Sequence, residues 1–323
     1  MAGRAASSGP PALETHDPVL AAFAAEVGVE DAVTVAGGRT RWDRGGPLAA
    51  GARELAAPAG IVAYTPAEMT VVVRAGTTVA ELRHELGAHG QRSALPERGG
   101  TVGGAVAVGE NHLDRRARGT VAVSVLQVRY VSAEGRLITG GGPTVKNVTG
   151  FDLPRLMTGS LGTLGLLCEL ILRTNPIPAL SRWLAADGAD PFAVDAALLR
   201  PSAILWDGAR TWVHLEGHEP DVAADIATLG GLGSFTEVGG PPELPCHRWS
   251  LEPGRLRSLG REGLPADGLP AAPFVASVGV GTVWAAGAQP MPEPAAALAA
   301  ISRQLKDNFD PTGRLNPGRR VGW

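Results

Sequence analysis

Cysteine is scarce in this 323-residue chain: only Cys168 and Cys246 occur. Two thiols cannot build a disulfide framework, a four-cysteine zinc site or an iron–sulfur cluster, and the low count fits a reducing compartment such as the cytoplasm. An excess of one charge is missing as well, with 29 Lys and Arg against 32 Asp and Glu, a formal net charge of −3. No basic run or basic-aromatic interleaving occurs, which argues against a nucleic-acid partner. Long apolar runs are few. Residues 269–291 carry no charge, but Pro273, Pro290 and a strand-like rhythm from Phe274 to Trp284 predict folded strands there and no transmembrane segment. Residues 1–16 lack the apolar stretch of a secretory signal and are expected to form a disordered tail.

Several catalytic signatures are also absent. No Gly-x-Gly-x-x-Gly follows a first strand and no Walker loop is present, so neither a nicotinamide site nor a P-loop is supported. Thr158 stands two residues before Ser160, which breaks the Gly-x-Ser-x-Gly elbow of serine hydrolases. His84 and Glu85 resemble the start of a zincin helix, but the next histidine is His89, turned about 140° from the first at helical pitch. No metal site is expected.

Glycine is plentiful, at 44 residues, so a glycine pattern is informative only in a defined setting. Three clusters have one. A helix starting at Asp17-Pro18 and ending at Gly28 precedes a strand at 33–36, which runs into Gly37-Gly38-Arg39-Thr40. Paired glycines after a strand form a nest of N–H groups for a phosphate, with an ordinary turn as the alternative. Next, a strand at 70–75 and a capping box, Thr78 with Glu81, lead to Arg98 through Ala107. Small residues there let backbone amides approach a pyrophosphate, and a tightly packed bend is the alternative. The third cluster lies in Lys146 to Gly165, where Asp152 and Pro154 start a short helix that stops at Gly159 before a buried strand at 166–173. A strand is also expected from Val121 to Ser132, followed by a hairpin.

Lys146-Asn147-x-x-Gly150-Phe151-Asp152-x-x-Arg155-Leu156, followed by Gly159-Ser160-x-Gly162-Thr163-Leu164-Gly165, resembles the flavin-binding domain of the vanillyl-alcohol oxidase and p-cresol methylhydroxylase (PCMH-type) superfamily. Within it, the stretch resembles the E subunits of bacterial glycolate oxidases. Phe309-Asp310-Pro311 through Asn316-Pro317-Gly318-Arg319 matches the family's closing motif. The resemblance implies an α+β fold, with a PCMH-type two-lobed FAD-binding domain at 17–178, completed by 300–323. A cap domain on an antiparallel sheet, for substrate or subunit contact, is expected at 179–299. Carried over residue by residue, the FAD site comprises Gly37, Gly38, Arg39 and Thr40, then Thr101, Gly103, Gly104 and Ala107, then Gly119 and Val125. It ends with Gly150, Gly159, Ser160, Gly162, Thr163, Leu164 and Asn316.

FAD is expected to be non-covalent, because residues 36–42 offer no His, Tyr or Cys for attachment. Two departures from the family pattern, His112 in place of a glycine and Ala122-Val123 in place of Arg-Asp, predict weaker FAD binding than in typical relatives. The implied activity is oxidation of a small 2-hydroxy acid, glycolate or D-lactate, by hydride transfer to FAD. The implied partners are a larger flavin subunit and an iron–sulfur subunit, with the assembly cytoplasmic or peripheral at the inner face of the membrane. A non-catalytic subunit with little or no flavin and a free-standing FAD oxidase for another alcohol or sugar acid are the alternatives. No catalytic residue is assigned; His214, His218 and His247 are the titratable candidates in the second half.

Overall fold

A computed structural model describes residues 17–143, 151–259, 273–290 and 295–320. Lys146, Asn147, Gly150 and the N-terminal segment 1–16 lie outside the described residues. The chain divides into two compact units.

The first unit takes the described residues to His112, then Thr120–Ile177, and those from 295 on. Its opening helix, Pro18–Val27, forms because the Asp17 carboxylate accepts the N–H groups of Val19 and Leu20 at 2.9 and 3.2 Å, while Pro18 presets the first turn. Leu20, Phe23 and Val27 are buried against β1 (Val33–Val35) and β2 (Arg53–Leu55), a parallel pair. Leu315 bridges alongside Val33, so the C-terminal segment completes this small lobe.

The larger lobe is an antiparallel sheet of β3 (Ile61–Thr65), β4 (Thr70–Arg74), β6 (Val125–Val131), β7 (Leu137–Gly141) and β8 (Leu166–Arg173), in the order β3-β4-β8-β6-β7. β5 (Gln91–Arg92) and β9 (Asn175–Pro176) pair separately. β8 is central and buried along Leu166 to Leu172, as a run that is apolar except for Glu169 suits a strand covered on both faces. Leu170 and Leu172 join the main core, and Leu166 and Cys168 join the small lobe's core. The one charge in that run, Glu169, meets Arg74 at 2.7 Å and Arg129 at 3.3 Å, so its burial is compensated.

The strand expected from Val121 begins later. Residues 121–124 make a helical turn capped by Thr120, whose hydroxyl accepts the Val123 N–H at 3.3 Å, and β6 starts at Val125. The β-branched run masked the cap, because Thr120 reads equally well as strand and as N-cap.

The second unit comprises Leu113–Gly119 and the described part of 178–293. Its seven-stranded antiparallel sheet runs β13-β10-β12-β11-β15-β16-β14. These strands are β10 (Leu180–Asp187), β11 (Ala203–Trp206), β12 (Arg210–Gly217), β13 (Thr236–Val238), β14 (His247–Ser250), β15 (Phe274–Ser277) and β16 (Thr282–Ala285). The β11–β12 hairpin turns at Asp207-Gly208, where the Asp207 side chain accepts two N–H bonds and Gly208 takes φ 103°. Helices Pro191–Ala197 and Glu219–Gly230 supply Val194, Val222 and Leu229 to a core with Ile204, Val213 and Leu215.

Leu113–Gly119 belongs to this unit, although the sequence places it within the FAD-binding domain. Asp114 reaches His214 Nδ1 at 2.7 Å and Arg116 pairs with Asp195; neighbours some 80 to 100 residues away leave no local pattern. No described helix is long and apolar enough to cross a membrane.

Candidate cofactor-binding site

The first two glycine clusters fold against each other within the first unit. A Cβ on Gly37 would stand 2.5 Å from the Thr101 hydroxyl, and one on Gly38 would stand 2.9 Å from the Gly100 Cα. Only glycine allows that approach. Thr101 then caps the helix Val102–Val108, its hydroxyl accepting the Gly104 N–H at 3.2 Å. Gly103 faces inward, where a Cβ would meet that of Ala75 at 2.7 Å, whereas Gly104 is exposed and opens onto the space between the loops.

That space is a cleft lined by Thr34, Gly37, Gly38, Arg39, Thr40, Arg41, Trp42, Thr101, Gly104, Ala107, Leu161, Asn316 and Arg319, among others. An adjoining cavity shares Gly37, Thr101, Gly104, Ala107 and Asn316 and adds Gly103, Gly162 and the apolar Leu166 and Leu167. Asn316 ties three segments together: its side-chain oxygen accepts from the Thr34 hydroxyl and its amide donates to the Leu161 carbonyl. Gly162 permits this, since a Cβ there would lie 2.7 Å from the Asn316 Nδ2.

The charges lining the cleft are cationic: Arg39, Arg41, Arg44 and Arg319, with no carboxylate among the lining residues. Arg39 pairs with Glu54 and sits 4.7 Å from the Trp42 ring centroid, and Arg319 sits 4.8 Å from the same ring. Burial lowers the Arg319 pKa, opposed by the charge of Asp43. Arg41 is nearly buried. Its Nε donates to Glu110 at 2.6 Å, and Nη1 donates to the Thr40 hydroxyl at 2.9 Å and the Gly99 carbonyl at 3.0 Å. Its buried Nη2 has no partner among the described residues. A glycine-lined cleft with an unsatisfied cationic donor fits an anionic group such as the diphosphate of a dinucleotide.

Of the expected site residues, Gly37, Gly38, Arg39, Thr40, Thr101, Gly104, Ala107 and Asn316 line the cleft, and Gly103 and Gly162 line the adjoining cavity. Gly159, Ser160 and Thr163 shape the third loop through hydrogen bonds to Val106, Met157 and Ser160 carbonyls, at 3.0, 2.8 and 2.7 Å. Leu164 and Val125 lie in the hydrophobic core, and Gly119 ends the helical turn Arg115–Arg118 in the other unit. These three, and Gly159, Ser160 and Thr163 as well, line neither cavity, nor do His112, Ala122 and Val123. Gly150 lies outside the described residues. Sequence reasoning passed over Arg41, Trp42, Leu161 and Arg319, although the first two directly follow the Gly-Gly-Arg-Thr loop.

Among the three candidate histidines, His218 is exposed at the start of a helix and His247 is half-buried on β14. His214 is buried, stacked on Trp183 with centroids 4.4 Å apart, and bonded to Asp114 and to the Ser181 hydroxyl at 2.7 and 2.8 Å. Glu216 stands 3.9 Å from its Nε2. Both ring nitrogens are engaged, so this cluster ties Leu113–Gly119 to the second unit's sheet.

A family model described as an FAD binding domain matches residues 18–141. The chain is 31% identical over 300 residues to glycolate oxidase subunit GlcE of Escherichia coli K12, covering 80% of this chain and 84% of that protein. It is 36% identical over 105 residues to a D-lactate dehydrogenase of Archaeoglobus fulgidus, covering 32% of this chain and only 24% of that protein. In fold it is similar to an alkyldihydroxyacetonephosphate synthase, with a TM-score of 0.62 at 14% identity over 92% of this chain and 73% of that one.

Proposed function

The chain belongs to the family of FAD-binding oxidoreductase subunits that includes glycolate oxidase subunit GlcE, and we propose that it is the FAD-carrying E subunit of a complex oxidising glycolate or D-lactate. The observation that carries this reading is the cationic cleft between the first two glycine loops, closed by Asn316 and Arg319. When bound, FAD supplies the hydride-accepting chemistry. The protein's part is to hold and orient it. Gly37, Gly38, Thr40 and Thr101 offer a side-chain-poor wall for the diphosphate, Arg41 offers charge, and the apolar Leu166 and Leu167 line the adjoining cavity.

Electrons taken from the substrate have to leave the chain. With two cysteines, Cys168 buried and Cys246 exposed, it holds no ligand set for an iron–sulfur cluster, so a partner that carries one completes the path. The names of two similar proteins, glycolate oxidase subunits GlcE and GlcD, support an assembly of several chains. Affinity purification of the tagged chain from its native host tests this. A larger flavin subunit and a cysteine-rich subunit should co-purify, with dye reduction that depends on added glycolate or D-lactate. A stable monomer with full activity on its own contradicts the assembly and favours a free-standing oxidase.

A further inference from the structure

We propose that Arg41 positions the diphosphate of the bound dinucleotide and so makes the cleft select FAD over flavins that lack a diphosphate; this rests on the FAD-binding reading above. Three of the guanidinium's contacts are already made, to Glu110, the Thr40 hydroxyl and the Gly99 carbonyl, and these fix its plane. Glu110 is itself buried and is gripped from its other oxygen by Arg98 at 2.6 Å, so the holder does not swing. Arg41 and Arg98 thus meet the two oxygens of one buried carboxylate. The remaining nitrogen, Nη2, is buried without a partner among the described residues, and Arg41 lines the same cleft as Gly37, Gly38 and Thr101. A buried cationic donor left unsatisfied is costly, and a phosphate oxygen is the acceptor whose charge and geometry suit it. Backbone amides attract any anion, whereas a guanidinium held on three sides adds direction.

The test is titration of the full-length apo-protein with FAD and with riboflavin, followed by flavin fluorescence, for the natural chain and Arg41→Lys. Lysine keeps a cation beside Glu110 but, with a single nitrogen, cannot also supply the donor that Nη2 provides. The expected result is at least tenfold weaker FAD binding by Arg41→Lys, with riboflavin binding the same in both proteins. Should Arg41→Lys not fold, as judged by circular dichroism, the paired Arg41→Gln/Glu110→Gln variant removes the ion pair as a unit and is read in the same way. Equal FAD affinity in natural chain and variant overturns the role of Arg41 and leaves the flavin reading standing. No saturable FAD binding by the natural chain overturns both.

Discussion

Neighbouring glycines in the second loop have opposite jobs. Gly103 packs its backbone on Ala75, so any side chain there forces the two segments apart, whereas Gly104 meets only the Thr101 hydroxyl, at 3.1 Å, and opens into the cleft. Gly104→Val should therefore change apo-protein stability by about 1 kcal/mol or less and weaken FAD binding at least tenfold, read by thermal unfolding and flavin titration. Unchanged flavin binding would remove the second loop from the site. The two cysteines separate as cleanly. Burial raises the Cys168 thiol pKa to about 12, with the nearby Arg129 charge opposing, while Cys246 is exposed. One thiol should react with a disulfide reagent in the native protein and two after denaturation. At this scale the glycine and asparagine positions were legible because each stands in a short sequence motif, although Asn316 then reaches Leu161 from 155 residues away, past a Gly162 that lacks a side chain. Arg41 was not, because nothing in the sequence says that Glu110, sixty-nine residues on, holds it in the cleft.

Helix starts and the central strand were readable for the same reason. Asp17, Thr78 with Glu81 and Asp152 cap the helices expected of them, since a cap is a bond to the next turn of chain, whereas the helix that Thr101 caps falls where only a glycine loop or a bend was expected. Strand order is different. That β8 lies between β4 and β6 depends on pairings across the whole unit, and the helical turn before β6 was hidden in a β-branched run. Asp17 also does more than cap. Burial pushes its pKa up, but the Arg74 guanidinium and the Leu20 and Val19 N–H groups outweigh this and hold it below the ordinary 3.8. A carboxyl depressed in the folded state contributes stability that is fully present above its unfolded pKa and is lost as pH falls through the folded one. Asp17→Asn keeps an N-cap acceptor and removes the charge. It should cost about 1.5 to 3 kcal/mol at pH 7 and less as the pH drops below about 4, measured by denaturant unfolding across pH. A deficit that persists at pH 2 would show that packing, not charge, is responsible.

At the scale of the whole molecule, sequence motifs anticipated a flavin-binding part and a cap on an antiparallel sheet, because the glycine loops cluster before residue 178 and the C-terminal motif returns. They did not anticipate that Leu113–Gly119 joins the second unit, tied there by Asp114 to His214. We infer that this chain carries FAD without a covalent bond. This is tested most directly by the absorbance spectrum of the purified protein, reconstituted with FAD, desalted and then precipitated with acid. Flavin bands should travel with the folded protein and pass to the supernatant on precipitation. Colour held in the pellet would contradict the non-covalent site, and a colourless desalted protein would contradict the flavin-carrying role itself.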